Sequence, residues 1–330
     1  MYTAMVAGES KPGRHSPLLS VIIVNYNSGD YLAQALRAIV GQSNNLEPEI
    51  MVVDNGSTDD SVHQARTEFP QVAWLLAAQN LGFARANNWA IRESKGKYIL
   101  LLNPDTVAHD WAVSRLVSYL EGNPGTGIVG PKIMGADREI DFRCARRLPS
   151  LWGELCERTL LYRRFPRSRW FARHLMGDWD HGDQREVEAV SGACLFIRRE
   201  VIDEVGLLDE GYFMFGEDMD WCWRVAQAGW KIVYVPDAVV THVGGRSSTP
   251  EMRGRLVLEG VRSHARFFAK RFGSPYVCLY RTMMAGLSGV KWALFALSGL
   301  LPAATDEAKR AYVRRRQLQG HLLRWALTER

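Results

Sequence analysis

Residues 96–107 read GKYILLLNPDTV. Tyr98, Ile99, Leu100, Leu101 and Leu102 form an apolar run with no polar alternation, the pattern of a strand buried on both faces. The run stops at Asn103-Pro104-Asp105, where Pro104 fixes a turn and Asp105 presents a carboxylate. Similar strands flank it. Leu18–Val24 (LLSVIIV), Glu49–Val53 (EIMVV) and Val72–Ala77 read as strands. Helical periodicity marks Tyr31–Val40, Asp59–Glu68, Gly82–Ser94 and Asp110–Leu120, with Ser57 or Thr58 available to cap the second. Such β-α-β-α alternation predicts an α/β fold: a mostly parallel sheet covered by helices on both faces. Ligands of such sheets bind outside the carboxyl ends of the strands. The polar strand ends Asn25-Tyr26-Asn27, Asp54-Asn55-Gly56-Ser57 and Asn103-Pro104-Asp105 are therefore expected to converge on one edge.

The 330 residues are 47% hydrophobic and 23% charged, ample for a folded core. The five cysteines are odd in number and lack C-x-x-C spacing, which argues against a disulfide framework or a zinc ribbon and for reduced thiols in the cytosol. Residues 1–17 lack the apolar core of a signal peptide and read as a loose tail. The net charge of +5 is uneven, because residues 251–330 hold 15 Lys/Arg against 5 Asp/Glu. A chain basic throughout would point to nucleic acid, whereas a basic tail beside apolar segments points to an anionic membrane surface.

Residues 18–250 are expected to form the main domain, with 137–186, rich in arginine and tryptophan, inserted over the site. Residues 251–330 form a basic, apolar helical region. Within it Thr282–Ala303 has about the length of a bilayer span but carries Lys291 at its middle. Helices lying on a membrane are the preferred reading over a packed helical subdomain or a true span.

Four groups can carry chemistry. Asp105 can hold a hard divalent cation together with phosphate oxygens and water, although an Asp after a strand also serves as a turn residue. Asp54 can accept a hydrogen bond from a base N–H, or simply close the turn Asn55-Gly56-Ser57-Thr58. Glu217, Asp218 and Asp220 open a helix, where carboxylates suit the helix dipole; aromatic neighbours can also desolvate one of them into a general base. His242, at a strand end before two glycines, can complete a metal shell opened by Asp105, or be structural.

Taken in order, Asn25-Tyr26-Asn27, Val53-Asp54-Asn55-Gly56-Ser57-Thr58-Asp59, Asn80-Leu81-Gly82-Phe83-Ala84, Asn103-Pro104-Asp105, Glu217-Asp218-Met219-Asp220 and His242 resemble glycosyltransferase family 2. The match runs over residues 18–245. NPD and GFARANN look most like its bacterial rhamnosyltransferase branch. The resemblance implies the nucleotide-sugar-binding GT-A fold and inverting sugar transfer to a hydroxyl. It places Asn25, Tyr26, Asp54, Gly82, Asn88, Asn103 and Asp105 around the nucleotide sugar, and Asp105 and His242 on Mg²⁺ or Mn²⁺. Asp218 becomes the base with Glu217 supporting it, and Trp221 walls the acceptor pocket. Asn103 stands where most of the family has the first aspartate of D-x-D, leaving the site less charged. Arg143 and Arg146 can meet an acceptor phosphate. The expected donor is dTDP-rhamnose, and the acceptor a cell-surface polysaccharide or lipid-linked oligosaccharide. The expected location is the cytoplasmic face of the bacterial inner membrane, held peripherally. A UDP-hexose donor and a silent sugar-nucleotide-binding protein are the alternatives. A nucleotidyltransferase would need a Gly-rich phosphate loop after the first strand, and Asn25-Tyr26-Asn27-Ser28 is not one.

Overall fold

The computed structural model describes residues 3–5, 16–41, 46–244, 250–298 and 305–329. Contacts divide the chain into two compact units: residues 1–148 with 165–247, and residues 149–164 with 248–330. The middle segment is thus split. Residues 149–164 group with the C-terminal helices, where buried Glu154 accepts from Tyr280 Oη and pairs with His264.

The first unit begins with β1 (Thr3–Met5), a short strand within the stretch expected to be a loose tail. Then come β2 (Leu19–Asn25), α1 (Tyr31–Gly41), β3 (Glu49–Asp54), α2 (Ser61–Glu68), β4 (Ala73–Leu76), α3 (Phe83–Glu93) and β5 (Tyr98–Leu102). After β5 the chain forms β6 (Thr106–Ala108), α4 (Ala112–Gly122), β7 (Thr126–Met134) and β8 (Ala145–Arg146). The second unit takes α5 (Leu151–Arg158) and α6 (Leu161–Arg164). The first unit resumes with β9 (Arg185–Glu186), β10 (Ala189–Val190), β11 (Cys194–Arg198), α7 (Arg199–Val205), α8 (Glu217–Gln227) and β12 (Lys231–His242).

The main sheet runs β1-β4-β3-β2-β5-β11-β7-β12-β6, with β9 also on β12. Its centre, β4-β3-β2-β5, is parallel, and every residue of β5 is buried as the apolar run requires. β3 and β4 extend to one side of β2 and β5 to the other, so a crevice opens at their carboxyl ends. Beyond β5 the sheet changes character. β11 runs antiparallel to both β5 and β7, while β12 returns parallel to β7. Pro236 sits where the β12–β7 register slips between Val235 and Val239, the irregularity a proline needs inside a sheet.

Arg198, only 5% exposed at the end of β11, shows how such a core tolerates a cation. Its guanidinium donates to the carbonyls of Thr126 (2.7 Å), Asn123 (3.0 Å) and Leu120, closing the carboxyl end of α4. Helix α2 departs from the expected cap: it starts at Ser61, and Ser57 Oγ instead accepts from Asn25 and Asn27.

The second unit adds α9 (Pro250–Phe272), α10 (Ser274–Ser298) and α11 (Asp306–Thr328). Val261, Phe267, Phe268, Tyr280, Met284, Leu322 and Trp325 form its core. Glu154 is buried in that core, accepting from Tyr280 Oη (2.9 Å) and paired with His264 Nδ1 (2.7 Å). Burial opposes its charge, but His264, Arg158 and Tyr280 outweigh this and hold its pKa at about 2. Among the described residues no helix is long and apolar enough to cross a membrane. α10 packs against α9 and α11 through Tyr280, Met284 and Ser288, leaving Val290, Trp292, Leu294 and Leu297 exposed on it. All five cysteines are free thiols.

Candidate active site

The chain leaves β5 at Leu102 and turns at once. The Asn103 N–H donates to Ala193 O (2.9 Å), and the Thr106 N–H closes the turn on Asn103 O (3.1 Å). β6 then pairs antiparallel with the end of β12, setting Thr106 opposite His242, and the Val243 N–H donates to Asp105 O (3.0 Å). This pairing brings His242 Nε2 to 3.1 Å from Asp105 Oδ1 and 3.4 Å from Asn103 Nδ2. Burial opposes a charge on the imidazole; the Asp105 hydrogen bond and charge, helped by Asp141, prevail and raise its pKa above the ordinary value. Asp105 and His242 thus meet at one half-buried point.

That point fits a divalent cation in a specific way. One carboxylate and one imidazole are two ligands, and among the described residues no three His, Cys, Asp or Glu side chains group as a metal cluster. Mg²⁺ and Mn²⁺ accept such a sparse protein shell when substrate phosphates and water complete it. The donor set suits an ion that arrives with a diphosphate.

A second cluster forms at the start of α8. Phe215 and Gly216 both have left-handed backbone, φ 67° and 89°, and swing the chain into the helix. Asp218 Oδ2 accepts from Arg146 Nη2 (2.8 Å) and the Gly192 N–H (3.0 Å), and Oδ1 accepts from the Met219 N–H (2.8 Å). Glu217 is 5% exposed, and its Oε2 has no hydrogen-bond partner. Burial, and then the charge of Asp218, push its pKa up to about 8. Asp220 is fully buried and bonded to Arg224 Nε (2.9 Å), which also reaches Val205 O and Leu207 O. Of the three carboxylates, Asp220 therefore serves the fold.

At the end of β3, Asp54 is half-buried and closes its turn by accepting from the Ser57 N–H (3.1 Å). Tyr26 is 37% exposed beside it at the end of β2.

Four expected site residues have other work. Asn25 is fully buried, donating to Ser57 and Ser61 Oγ (3.0 Å each) and accepting from Ser28; it braces the strand ends from inside. Asn88 faces the core of α3, where Nδ2 donates to Leu208 O (2.8 Å) and Oδ1 accepts from the Leu208 N–H (3.1 Å). Gly82 has φ 82°, and a Cβ there would lie 2.5 Å from Phe213 O, so its close approach is to Phe213. Trp221 does not wall a pocket: it is fully buried, one turn along α8 from Glu217, with Nε1 on Gly206 O (2.9 Å). Arg143 lies exposed on a short turn at 142–144.

One contributor escaped the sequence reading, and another was read only as a turn residue. Gly192 offers only a backbone N–H, which no motif marks. Asn55 is buried and ties three loops together: its N–H donates to Asn25 O (2.8 Å), Oδ1 accepts from the Leu81 N–H (2.8 Å), and Nδ2 donates to Asn80 Oδ1 (3.1 Å). The pairing of Asn55 with Asn80 inside two polar loops was the available signal.

This mostly parallel α/β sheet, with Asp105 meeting His242 beyond its strand ends, has the GT-A architecture of sugar-transferring enzymes. The family model described as "Glycosyltransferase like family 2" matches residues 16–258, and the chain belongs to that family. It is 31% identical over 295 residues to the N-acetylglucosaminyl-diphospho-decaprenol L-rhamnosyltransferase of Mycobacterium tuberculosis (strain CDC 1551 / Oshkosh), covering 86% of this chain and 94% of that one. Against an N-acetylglucosaminyltransferase of Bradyrhizobium diazoefficiens the identity is 27%, over 73% of this chain and 48% of the relative. Among solved structures, the mannosyltransferase PcManGT from Pyrobaculum calidifontis, in complex with GDP-Man and Mn²⁺, superposes with a TM-score of 0.56. It shares 20% identity, over 94% of this chain and 86% of that one. GalNAc-T7 with UDP, GalNAc and Mn²⁺ gives 0.57 at 16% identity, over 95% of this chain and 56% of that one. These two likenesses establish the GT-A fold, and the chain is a glycosyltransferase.

Proposed function

We propose that this glycosyltransferase moves L-rhamnose from dTDP-rhamnose, with inversion, onto a hydroxyl of a lipid-linked oligosaccharide or growing cell-surface polysaccharide. The observation that carries the reading is the pairing of β6 with β12, which sets His242 against Asp105 at the crevice. The mycobacterial relative, named for L-rhamnosyl transfer to a diphospholipid acceptor, supports this choice of sugar and acceptor.

In this reading Asp54 and Tyr26 receive the base of the donor, and Asp105 and His242 hold a divalent cation at its diphosphate. That cation, when bound, supplies positive charge to the departing phosphate oxygens. Asp218 accepts the proton of the acceptor hydroxyl as its oxygen bonds to the anomeric carbon. The bond from that carbon to the diphosphate breaks on the opposite face, and a nucleoside diphosphate leaves. Glu217, buried beside Asp218 with its pKa pushed up to about 8, adds no second full negative charge there at neutral pH.

The test is saturation binding of dTDP-rhamnose, UDP-glucose, UDP-galactose and GDP-mannose with and without Mn²⁺ or Mg²⁺. dTDP-rhamnose is expected to bind more tightly with the cation, and Asp105→Asn to abolish that gain. Binding of GDP-mannose alone sinks the rhamnosyl reading, and preference for a UDP-hexose replaces it. Turnover releasing pyrophosphate would identify a nucleotidyltransferase; bound donor without any turnover would identify a silent binder.

The same reading places the chain peripherally on the cytoplasmic face of the inner membrane. Exposed Val290, Trp292, Leu294 and Leu297 on α10, with exposed Arg310, Arg314, Arg315 and Arg316 on α11, combine apolar and cationic surface. Co-sedimentation with vesicles rich in phosphatidylglycerol is expected at 0.1 M salt. Equal binding to neutral phosphatidylcholine vesicles would contradict the electrostatic part.

A further inference from the structure

β8 and β10 form a two-stranded sheet separate from the main one, with Arg146 opposite Ala189 and Ala145 opposite Val190. Two residues past β10 stands Gly192. From this small sheet come two donors for one atom, Asp218 Oδ2: Arg146 Nη2 at 2.8 Å and the Gly192 N–H at 3.0 Å. The other carboxylate oxygen, Oδ1, takes one bond, from the neighbouring Met219 N–H at 2.8 Å.

The geometry is selective. An arginine commonly grips a carboxylate through both oxygens, with two parallel N–H bonds. Here Arg146 meets Oδ2 alone, and its Nε is buried without a partner. The Arg146 and Asp218 side chains are 21% and 11% exposed, so water competes little for this bond. A carboxylate at a helix start can otherwise turn about its last bond and exchange its oxygens, because that torsion is broad. Two donors from a separate sheet fix which oxygen faces the protein.

We propose that Arg146, acting with the Gly192 N–H, is a positioning residue that pins Oδ2 of Asp218 and reserves Oδ1 to receive the acceptor proton. This rests on Asp218 being the general base. It also explains why the base is Asp218 and not Glu217. Both are buried at the start of α8, but only Asp218 has its carboxylate plane held from a second element.

The measurement is a double-mutant cycle on transfer rate, with kcat and both KM values, using Arg146→Gln, Asp218→Asn and the pair. Arg146→Gln is expected to lower kcat about 10²-fold, the scale of a misplaced reacting group, with donor KM unchanged. Guanidinium in the buffer should restore part of that loss, and Arg146→Lys should retain more rate than the glutamine, since its charge remains without the planar fork. In the Asp218→Asn background Arg146→Gln should cost less than twofold, because it acts through the aspartate. Three results overturn the proposal: kcat of Arg146→Gln within twofold of the parent, a loss confined to acceptor KM, or full multiplicative losses in the pair. Full rate in Asp218→Asn alone would instead remove the general base beneath it, which is a separate failure. Undiminished donor binding by Arg146→Gln checks that the variant is folded.

Discussion

Asp218→Asn is expected to lower kcat by about 10²- to 10⁴-fold, the usual contribution of a positioned general base. The amide preserves shape and burial but cannot take the acceptor proton. Its oxygen can still accept from Arg146 and Gly192, while its amide nitrogen replaces the acceptor of the Met219 N–H, so the start of α8 keeps two of its three anchors. Donor binding should survive nearly intact, because Asp54, Asp105 and His242 come from other strand ends. The decisive pair of measurements is therefore turnover and donor affinity on the same preparation. Loss of both would mean that Asp218 organises the nucleotide site. Full turnover would move the base to Glu217, since Asp220 is committed to Arg224 at 2.9 Å.

The parallel half of the fold was legible because its signal is local. An unbroken run such as Tyr98–Leu102 has few other uses, and the end of such a strand marks a ligand edge wherever the sheet order switches sides. Asp105 was readable for that reason. Its contact with His242 was not readable from spacing alone, because the two lie far apart in sequence and meet through β6, only three residues long. Residue chemistry suggested the pair, a carboxylate and an imidazole at two strand ends, and the family resemblance agreed; the β6–β12 register supplies its physical cause.

Polar residues near the site were harder to sort. Asn25 and Asp54 end neighbouring parallel strands in register, yet the Asn25 side chain faces inward to three serines while Asp54 stays half-exposed. A strand end fixes where a residue stands, but not whether its side chain holds a loop or awaits a ligand. Trp221 failed for a related reason. It lies one turn after Glu217 on nearly the same helix face, and that face deepens into the core as α8 proceeds. Arg146 was one of three nearby arginines in RCARRLPS. Only the β8–β10 pairing selects it for Asp218.

Glu217→Gln is expected to stabilise the folded chain at pH 8 while leaving stability near pH 4.5 almost unchanged. The sign follows from proton binding. In the unfolded chain Glu217 ionises near the ordinary value of about 4.3, whereas in the folded chain burial and Asp218 push its pKa up to about 8. Between these values the unfolded state has lost a proton that the folded state keeps, so stability falls as pH rises through the window. Above the folded pKa both states are ionised and the penalty stays constant. Glutamine carries no such proton and escapes the loss, by roughly 4 to 5 kcal/mol at pH 8. Urea unfolding of parent and variant at pH 5 and pH 8 measures the difference directly. An equal shift at both pH values would mean that Glu217 is not held protonated by the fold. A destabilised variant at pH 8 would mean that Glu217 Oε2, unpartnered in this structure, is nevertheless needed as an acceptor. Because Glu217 is already held neutral near pH 7 and Asp218 is the base, the same substitution should leave turnover close to that of the parent while the protein becomes harder to unfold at pH 8.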